Sequence, residues 1–404
     1  MKARLAQRYA AETRFRRLGL MAVLISTAML AFLLGSMSVN GWRGFIEARV
    51  SLPIDFTETA FEIDADALRG PRALAALNAA GVDDLTAVAA EDAFGANGAD
   101  YVASSAWKSV RGRILAEPEL VGSVVEFQVP ISDEFERARD GIGDPALVAA
   151  ARALDESGRI TSRFNSNFLT GSDATDPTDV GLWGALKGSI MTMLVTLVLA
   201  FPIGVLAAIY LEEFAPKNRW TDAIEVSINN LAAVPSIIFG LLGLAIFLNT
   251  FGLPRSAPLV GGMTLALMTM PVIVIAGRNA IKSVPPSIRD AALGIGASPI
   301  QTVAHHVLPA ALPGIMTASI IGMARALGET APLLMIGMRA FITTPPDGFS
   351  SPSSVLPVQI FLWSDEVSRG FIEKTSAAII VLLIFLLAMN AAAVYVRNRF
   401  EIRW

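Results

Sequence analysis

The stretch that decides the fold of this chain runs from Arg289 to Pro332. It reads RDAALGIGASPIQTVAHHVLPAALPG (289–314) and then, after a short apolar run, ARALGETAP (324–332). The first part is polar and is broken by glycines and prolines. The second part places an arginine and a glutamate in a segment that is apolar enough to span a membrane. A charge inside a membrane is costly unless it has a partner or a polar path, so this pair requires an explanation.

The composition around this stretch is that of a membrane protein. The chain has 404 residues, of which 53% are hydrophobic and 17% charged, and its mean hydropathy is +0.54. These values are too apolar for a soluble protein of this size. Between residues 50 and 185, however, lie 23 of the 36 acidic residues against 10 basic ones, which indicates an acidic soluble insert. The absence of cysteine excludes disulfides, thiolate nucleophiles and cysteine-ligated zinc.

Six apolar runs reach the length of about 20 residues that is needed to cross a bilayer. They are Leu18–Val39, Ser189–Leu211, Val226–Leu248, Leu259–Gly277, Pro313–Gly337 and Thr375–Val396. We interpret the first run as an uncleaved anchor, because it is longer than the apolar part of a signal peptide and no small-x-small cleavage site follows it. The pattern predicts an α-helical integral membrane protein with six transmembrane helices.

The basic residues near the ends of these runs predict the orientation. All of them fall on one side if the N-terminus is inside: Lys2, Arg4, Arg8, Arg14, Arg16, Arg17, Lys217, Arg219, Arg278, Lys282, Arg289, Arg397, Arg399 and Arg403. Both termini are then cytoplasmic, and residues from about 40 to 185 are periplasmic. We expect three parts: a basic N-terminus with the first helix (1–49), the insert (50–180), and a five-helix core (181–404) with a cytoplasmic loop at 278–312.

The insert has the pattern of an α+β domain. Asp64–Ala80 and Asp100–Ala116 are predicted as amphipathic helices, Val121–Val129 as a strand, and Gly171–Asp179 as a polar linker. The insert contains no histidine and no metal-ligand spacing. A structural or partner-docking role is therefore favoured over ligand binding, although both stay open.

The cytoplasmic loop is predicted to contain a short helix, Ile288–Leu293. Ser287 is expected to cap it, and Gly294 and Gly296 to end it with a sharp bend. Such a projecting helix suits docking into a groove of another protein. An ordinary connecting loop is the alternative on physical grounds alone.

The loop also resembles a known motif. Asp290-Ala291-Ala292 with Gly296, followed by Leu308-Pro309, is similar to the "EAA" loop of bacterial ABC importer permeases. The resemblance implies that the loop, with Arg289 at its start, forms the coupling helix that docks onto a nucleotide-binding subunit. Two positions depart from the motif: Asp290 replaces glutamate, and His306 replaces a branched apolar residue.

The segment Ala324–Pro332 resembles the RAxGETAP signature of the PstA-type phosphate permeases, and Leu356–Ile360 is similar to the same family. The resemblance covers the first span and the chain from Ser189 onward, but not the insert. It implies the type I ABC importer permease fold, and a second, homologous permease subunit as partner. It also implies two ATPase subunits that bind ATP and Mg, and a periplasmic phosphate-binding protein.

Arg325 and Glu329 are the residues expected to meet the substrate. Four residues apart on a helix, they would share one face about one turn apart. Guanidinium presents a planar fork that matches phosphate oxygens, and Glu329 can hold Arg325 while the site is empty. We place Thr330 on the same path and expect Gly328 and Pro332 to weaken the helix there. The alternative is a buried ion pair that joins two helices.

Arg278 is the second candidate for the substrate path. The phosphate permeases usually carry another arginine near the end of the fourth span, where this chain has Ile275, with Arg278 one turn later. Arg278 either contacts the substrate or anchors the helix at the cytoplasmic interface, and the sequence leaves both possibilities open.

The expected function is that of a permease subunit for inorganic phosphate in an ATP-driven importer, without catalysis or cofactor in this chain. No G-x-x-x-x-G-K-[ST] motif occurs, and His305 and His306 are expected to be loop residues instead of metal ligands. The alternatives are a permease for another oxyanion, such as sulfate or molybdate, and a membrane sensor with an external ligand domain. A sensor is disfavoured because few residues flank the outermost spans. An intramembrane hydrolase ranks lowest, because the chain has no HExxH motif.

Overall fold

The computed structural model describes residues 2–57, 68, 70 and 72–400. The external insert follows the first helix directly, since α1 (Lys2–Gly44) is separated by one residue from β1 (Ile46–Asp55). Strands β2 (Val124–Pro130) and β3 (Ile160–Phe164) pair with β1 on either side, both antiparallel, in the order β2-β1-β3. Alternate residues of β1 are buried, which is typical of a sheet with one covered face: Ala48, Val50, Leu52 and Ile54.

Helices complete the insert and confirm its α+β character. They are α2 (Ala73–Ala79), α3 (Val82–Phe94), α4 (Ala106–Ala116), α5 (Asp133–Arg139), α6 (Pro145–Glu156) and α7 (Ser166–Thr170). The predicted helix Asp100–Ala116 begins only at Ala106, because Gly98–Tyr101 forms a 3₁₀ turn. Residues 64–67 of the predicted helix Asp64–Ala80 lie outside the described residues. The predicted strand starts at Val124 instead of Val121.

Within the described residues, five helical segments are long and apolar enough to cross a membrane. They are Ala11–Gly44, Trp183–Phe214, Pro258–Lys282, Pro299–Gly328 and Arg369–Arg399. The corresponding helices are α1, α8 (Trp183–Ile209, extended by a π-helical turn, Tyr210–Phe214), α11 (Pro258–Lys282), α14 (Leu308–Gly328) and α17 (Arg369–Phe400). Four of the six predicted spans fall within these segments, and the fifth predicted span, Pro313–Gly337, overlaps Pro299–Gly328 only in part.

The remaining predicted span, Val226–Leu248, is not a straight helix. It is divided between α9 (Arg219–Ala232) and α10 (Ser236–Gly243, extended by a π-helical turn, Leu244–Thr250), which meet at 100°. Pro235 stands at the break, and proline cannot continue a helical hydrogen-bond ladder. Counted as one segment, this pair brings the membrane core to six. A second bent pair, α2 and α3, contributes Leu77 and Leu85 to the core of the insert.

The fifth predicted span, Pro313–Gly337, also differs from the structure. Its helix, α14, begins at Leu308 and ends at Gly328, and a separate short helix, α15 (Ala331–Met335), follows. The segment between the fifth and sixth predicted spans contains a further helix, α16 (Leu356–Ser364). Between α11 and α14, α12 (Pro286–Gly294) and α13 (Pro299–Thr302) lead through a π-helical turn, Val303–Val307, into α14.

Small residues allow the membrane helices to approach closely. A Cβ atom added at Gly262 of α11 would lie 2.4 Å from Cβ of Val195 in α8, and one at Gly204 would lie 2.8 Å from Cγ2 of Ile273. Such contacts are characteristic of membrane helix interfaces, where no hydrophobic effect drives the helices together. In contrast, none of the most apolar part of α1 is buried, although α1 packs closely against α17 at Gly41 and Gly44.

Candidate functional site

Arg325 lies near the middle of the membrane core, in the last turn of α14. Gly322, less than one turn away, faces Thr269, the twelfth of the 25 residues of α11: a Cβ there would lie 3.1 Å from Thr269 Cγ2. The Arg325 side chain is 56% exposed, and its Nε donates to Oε1 of Glu329 at 3.5 Å, a long hydrogen bond. The guanidinium is therefore held loosely, and most of its N–H groups have no partner among the described residues.

The sequence predicted that Arg325 and Glu329 share one helix face, but in the structure they do not. Helix α14 ends at Gly328, and Glu329 has an extended backbone with φ −80° and ψ 120°. Pro332, in the first turn of α15, has no backbone N–H to continue the ladder. The interruption between α14 and α15 thus turns Glu329 back toward Arg325. Gly328 and Pro332 lie at this break, in agreement with the prediction.

Gly328, Thr330 and Pro332 have different surroundings at the break. A Cβ at Gly328 would meet nothing within 4 Å, whereas Pro332 is buried against Gly240 of α10. Thr330 is half-buried at the N-cap of α15, and its side chain makes no capping hydrogen bond. The arrangement leaves an open side at Arg325 and Gly328 and a packed side at Pro332.

The structure does not bring Arg278 to Arg325. Its guanidinium contacts Oε2 of Glu212 at 3.3 Å and Oε1 of Glu225 at 2.9 Å, and only 19% of its side chain is exposed. Arg278 is nine residues beyond Thr269 on α11, about 13 Å along the helix axis. Two carboxylates satisfy it, which favours the anchoring role over a substrate contact.

Arg289 joins the coupling loop to the membrane helices. It binds Oε1 of Glu213, in the π-helical turn after α8, through Nη2 at 2.6 Å and Nε at 3.1 Å. It also donates to the carbonyl oxygens of Val284 at 2.8 Å and Ile281 at 3.0 Å. The loop is therefore fixed to the C-terminal ends of α8 and α11.

The predicted cap of the coupling helix is wrong. Pro285 holds the N-cap position of α12 without a side-chain hydrogen bond, and Ser287 lies inside the helix. The predicted bend is present, because Gly296 has φ +93°, in the left-handed region that favours glycine.

The other residues of the loop divide into an exposed and a packed set. Asp290 and Ala291 are exposed, Ala292 is 4% exposed, and Leu308 and Pro309 are half-buried at the start of α14. His305 and His306 belong to the π-helical turn instead of a loop. Three large apolar side chains are exposed beside α12: Leu293, Ile295 and Ile300. Such a cluster is typical of a surface that another subunit covers.

A polar cleft of about 610 Å³ lies between the insert and the loop before α16. Lys108 contacts Asp179 there, and Ser104 donates to Asp176 at 2.8 Å. These two pairs therefore satisfy each other, whereas the buried hydroxyl of Ser172 has no hydrogen-bond partner among the described residues. In the part of the chain that the structure describes, no group of three or more histidine, aspartate or glutamate side chains is arranged to hold a metal ion.

Sequence reasoning missed the carboxylates that hold the arginines. Glu212 and Glu213 stand side by side at the end of α8, and this acidic pair after a membrane span was the available signal. It also missed Arg397 in the last turn of α17, whose Nη1 donates to Oγ1 of Thr317 in α14 at 3.2 Å.

Two family profiles match separate parts of the chain. Residues 200–402 match the family described as binding-protein-dependent transport system inner membrane component. Residues 2–148 match a domain of unknown function, DUF3333.

Several curated proteins are similar in sequence. A probable ABC transporter permease protein, YqgI of Bacillus subtilis, is 31% identical over 57% of this chain and 83% of its own length. The phosphate transport system permease protein PstA 1 of Mycobacterium tuberculosis is 32% identical over 54% of this chain and 70% of its own length. PstA of Yersinia pestis is 30% identical over 53% and 71% of the two chains.

Solved structures give a weaker likeness. A chain of the inward-facing MetNI methionine ABC transporter is 17% identical, with a TM-score of 0.41, over 55% of this chain and 95% of its own. A chain of a bacterial ABC transporter for alginate import is 18% identical, also with a TM-score of 0.41, over 53% and 78%. These scores are too low to support an argument about function.

Proposed function

We infer the function of this chain from its family, since it belongs to the binding-protein-dependent transport system inner membrane components, the permease subunits of ABC importers. The resemblance of residues 289–332 to such permeases is thereby confirmed. The chain is a multi-pass permease of the inner membrane and does not itself catalyse ATP hydrolysis. Its family implies an ATPase and a substrate-binding protein as partners.

We propose that the transported substrate is inorganic phosphate. The observation that carries this proposal is Arg325, a mid-membrane arginine with its guanidinium exposed and only a long hydrogen bond to Glu329. An arginine in this position requires a polar surrounding, and its fork suits a tetrahedral oxyanion. The PstA phosphate permeases among the relatives support the choice of phosphate over sulfate or molybdate.

The exposed face of Arg325 supports a heterodimer. None of the residues that the structure describes covers the side of α14 that carries Ile321, Arg325 and Gly328. A second, homologous permease subunit placed there would enclose a pathway between the two chains. With two ATPases and a periplasmic phosphate-binding protein, this gives the assembly that we propose, with ATP and Mg bound only by the ATPases.

The ion pairs at the cytoplasmic side provide the coupling in this proposal. An ATPase docked on the apolar cluster beside α12 would move the coupling loop. Arg289 would pass that movement to α8 through Glu213, and Arg278 would keep α8, α9 and α11 together. The membrane helices would then change between inward-open and outward-open states. The contact with phosphate must be weak, since a tight site would not release its cargo.

Uptake of labelled phosphate into proteoliposomes with the complete importer tests this function. Arg325→Gln is expected to assemble and to abolish uptake, while Arg339→Gln, in an exposed loop, serves as the control. Sulfate and molybdate are added as competitors. Normal uptake by Arg325→Gln would refute the pathway, and selective inhibition by sulfate or molybdate would assign another oxyanion.

A further inference from the structure

A shallow groove of about 560 Å³ lies in the cytoplasmic half of the membrane core. Its floor is formed by one face of α14, and one side by Arg397 of α17. The residues that line it are small or polar except for one isoleucine: Pro313, Gly314, Thr317, Ala318, Ile321 and Arg397. A basic side chain over a groove of small residues leaves space for a solute of a few heavy atoms.

Among the described residues, only neutral groups hold Arg397. Its Nη1 donates to Oγ1 of Thr317 at 3.2 Å, and its Nε and Nη2 donate to Oδ1 of Asn398 at 3.3 and 3.1 Å. Among the described residues no carboxylate lies within 4 Å of it, in contrast to Arg278 and Arg289. A guanidinium has five N–H groups, so two remain free and the positive charge is not neutralised.

Thr317 fixes the position of this guanidinium. Its hydroxyl donates to the carbonyl oxygen of Pro313 at 2.8 Å, which turns a lone pair toward Arg397. The flexible arginine is thereby held over the groove. Thr317 is a positioning residue in this arrangement.

The groove lies on the same face of α14 as Arg325. Gly314, Ala318, Ile321 and Arg325 follow one another at helical spacing, and Ile321 and Arg325 are both more than half exposed. Thr317 precedes Arg325 by eight residues, about 12 Å along the axis. An anion that leaves Arg325 toward the cytoplasm along this face therefore reaches the groove of Arg397.

We propose that Arg397, positioned by Thr317, is a second binding station for a tetrahedral oxyanion on the cytoplasmic side of Arg325. This inference rests on the proposed function, because it takes Arg325 to mark the substrate path. The free N–H groups of Arg397 bind phosphate oxygens, and the exposed groove keeps that binding weak. Two cationic stations divide the exit into shorter steps, so that the anion leaves Arg325 without losing all its charged contacts at once.

A direct binding measurement tests the station without reference to transport. The complete importer in detergent is modified with phenylglyoxal, which reacts with arginines, and each site is quantified by mass spectrometry. Millimolar phosphate is expected to protect Arg397 but not Arg399, an exposed arginine two residues later, while chloride at equal ionic strength protects neither. Equal modification of Arg397 with and without phosphate overturns the proposal. Thr317→Val should remove the protection, and Thr317→Ser should keep it.

Transport assays distinguish this proposal from the proposed function. Arg397→Gln should lower the maximal uptake rate by about tenfold, the effect of losing a charged hydrogen bond, while Arg399→Gln leaves it unchanged. Loss of uptake in Arg325→Gln with normal uptake in Arg397→Gln would refute only the second station. Normal uptake in Arg325→Gln would refute the pathway itself.

The same chemistry would also attract the phosphate group of an anionic lipid at the cytoplasmic surface. The assays are therefore repeated in vesicles of phosphatidylcholine alone and with added phosphatidylglycerol. If Arg397→Gln reduces uptake equally in both, the station binds the free anion. If the defect occurs only with phosphatidylglycerol, Arg397 binds a lipid headgroup and the proposal is wrong.

Discussion

Arg325 and Arg278 show how the same side chain acquires different roles from its surroundings. Both were candidates for the substrate path, with anchoring left open as the alternative for Arg278, and both lie in or beside apolar helices. Arg278 has two carboxylates within 3.3 Å, whereas Arg325 has one at 3.5 Å and is half-exposed. A neutralised, enclosed arginine joins helices, and a loosely held, open one can exchange its partner for a substrate.

Substitution of Arg278 tests this contrast. Arg278→Gln leaves the carboxylates of Glu212 and Glu225 without their cation. We expect this to lower the free energy of unfolding by on the order of 2 kcal/mol. The double variant with Glu212→Gln should recover part of that loss, because one unpaired carboxylate is removed. The concentration of phosphate at half-maximal uptake should not change in the single variant. A large change in that concentration would restore Arg278 to the substrate path.

Glu136 in the insert supplies a pH dependence. Burial raises the pKa of Glu136 from 4.5 to about 7, assisted by the carboxylates of Glu373 and Asp133 and opposed by Lys374 and Arg139. The folded state therefore holds the proton more tightly than the unfolded state. The contribution of this proton to the free energy of unfolding is fully present below pH 4.5 and is lost as the pH rises through about 7.

In the variant Glu136→Gln the side chain has the shape of the protonated glutamate and stays uncharged at every pH. We expect it to stabilise the insert at pH 8 by on the order of 3 kcal/mol and to have no effect below pH 4.5. Slower hydrogen exchange in α5 of the full-length protein at pH 8 would show the gain. Glu134→Gln, exposed on the same helix, should change nothing, and equal responses of the two variants would contradict the assignment.

At the scale of elements, the coupling helix depends on a single backbone conformation. Gly294 and Gly296 both have open space where a Cβ would lie, but only Gly296 has a positive φ, +93°. Gly296→Ala should therefore cost about 1 to 2 kcal/mol, whereas Gly294→Ala should be neutral or slightly stabilising. An importer that contains the Gly296 variant is expected to transport less phosphate per ATP hydrolysed by its ATPase subunits. Unchanged coupling in that variant would show that the bend is dispensable.

The positions of the membrane helices were predictable from the sequence where apolar runs were long. The bends and breaks of these helices were not. The run Val226–Leu248 is apolar enough for one span, and nothing in its hydropathy indicates the 100° turn at Pro235, since prolines also occur within α8 and α11. Strand β1 was missed because it follows α1 without a turn signal. The end of α14 at Gly328 was predicted as a weakness, although not as a complete break.

The candidate site was predicted in its residues but not in its partners. The charges of Arg325 and Glu329 in an apolar segment are visible in the sequence, and so are the glycines of the loop. The carboxylate of Glu213 is 76 positions from Arg289, and Thr317 is 80 positions from Arg397. Tertiary packing decides such pairs, and periodicity carries no information about them.

At the scale of the whole molecule, the absence of cysteine makes the orientation directly measurable. Ser157→Cys places a thiol on the exposed surface of the insert, and Ser298→Cys places one beside the coupling helix. In intact spheroplasts a membrane-impermeant maleimide should label the first and not the second, which should react only after lysis. The opposite pattern would reverse the proposed orientation of the insert and the loop.

The junction between α1 and α17 gives the insert a mechanical role. Lys374 Nζ donates to the carbonyl oxygen of Gly44 at 2.9 Å, and Cβ atoms would not fit at Gly41 or Gly44. The last turn of α1, which carries the insert, is thus fastened to the outer end of α17. From Lys374 to Arg397 this helix is about 35 Å long, so that a tilt of about 5° at its outer end displaces Arg397 by about 3 Å. A load on the insert would then act as torque on a lever arm whose far end carries Arg397.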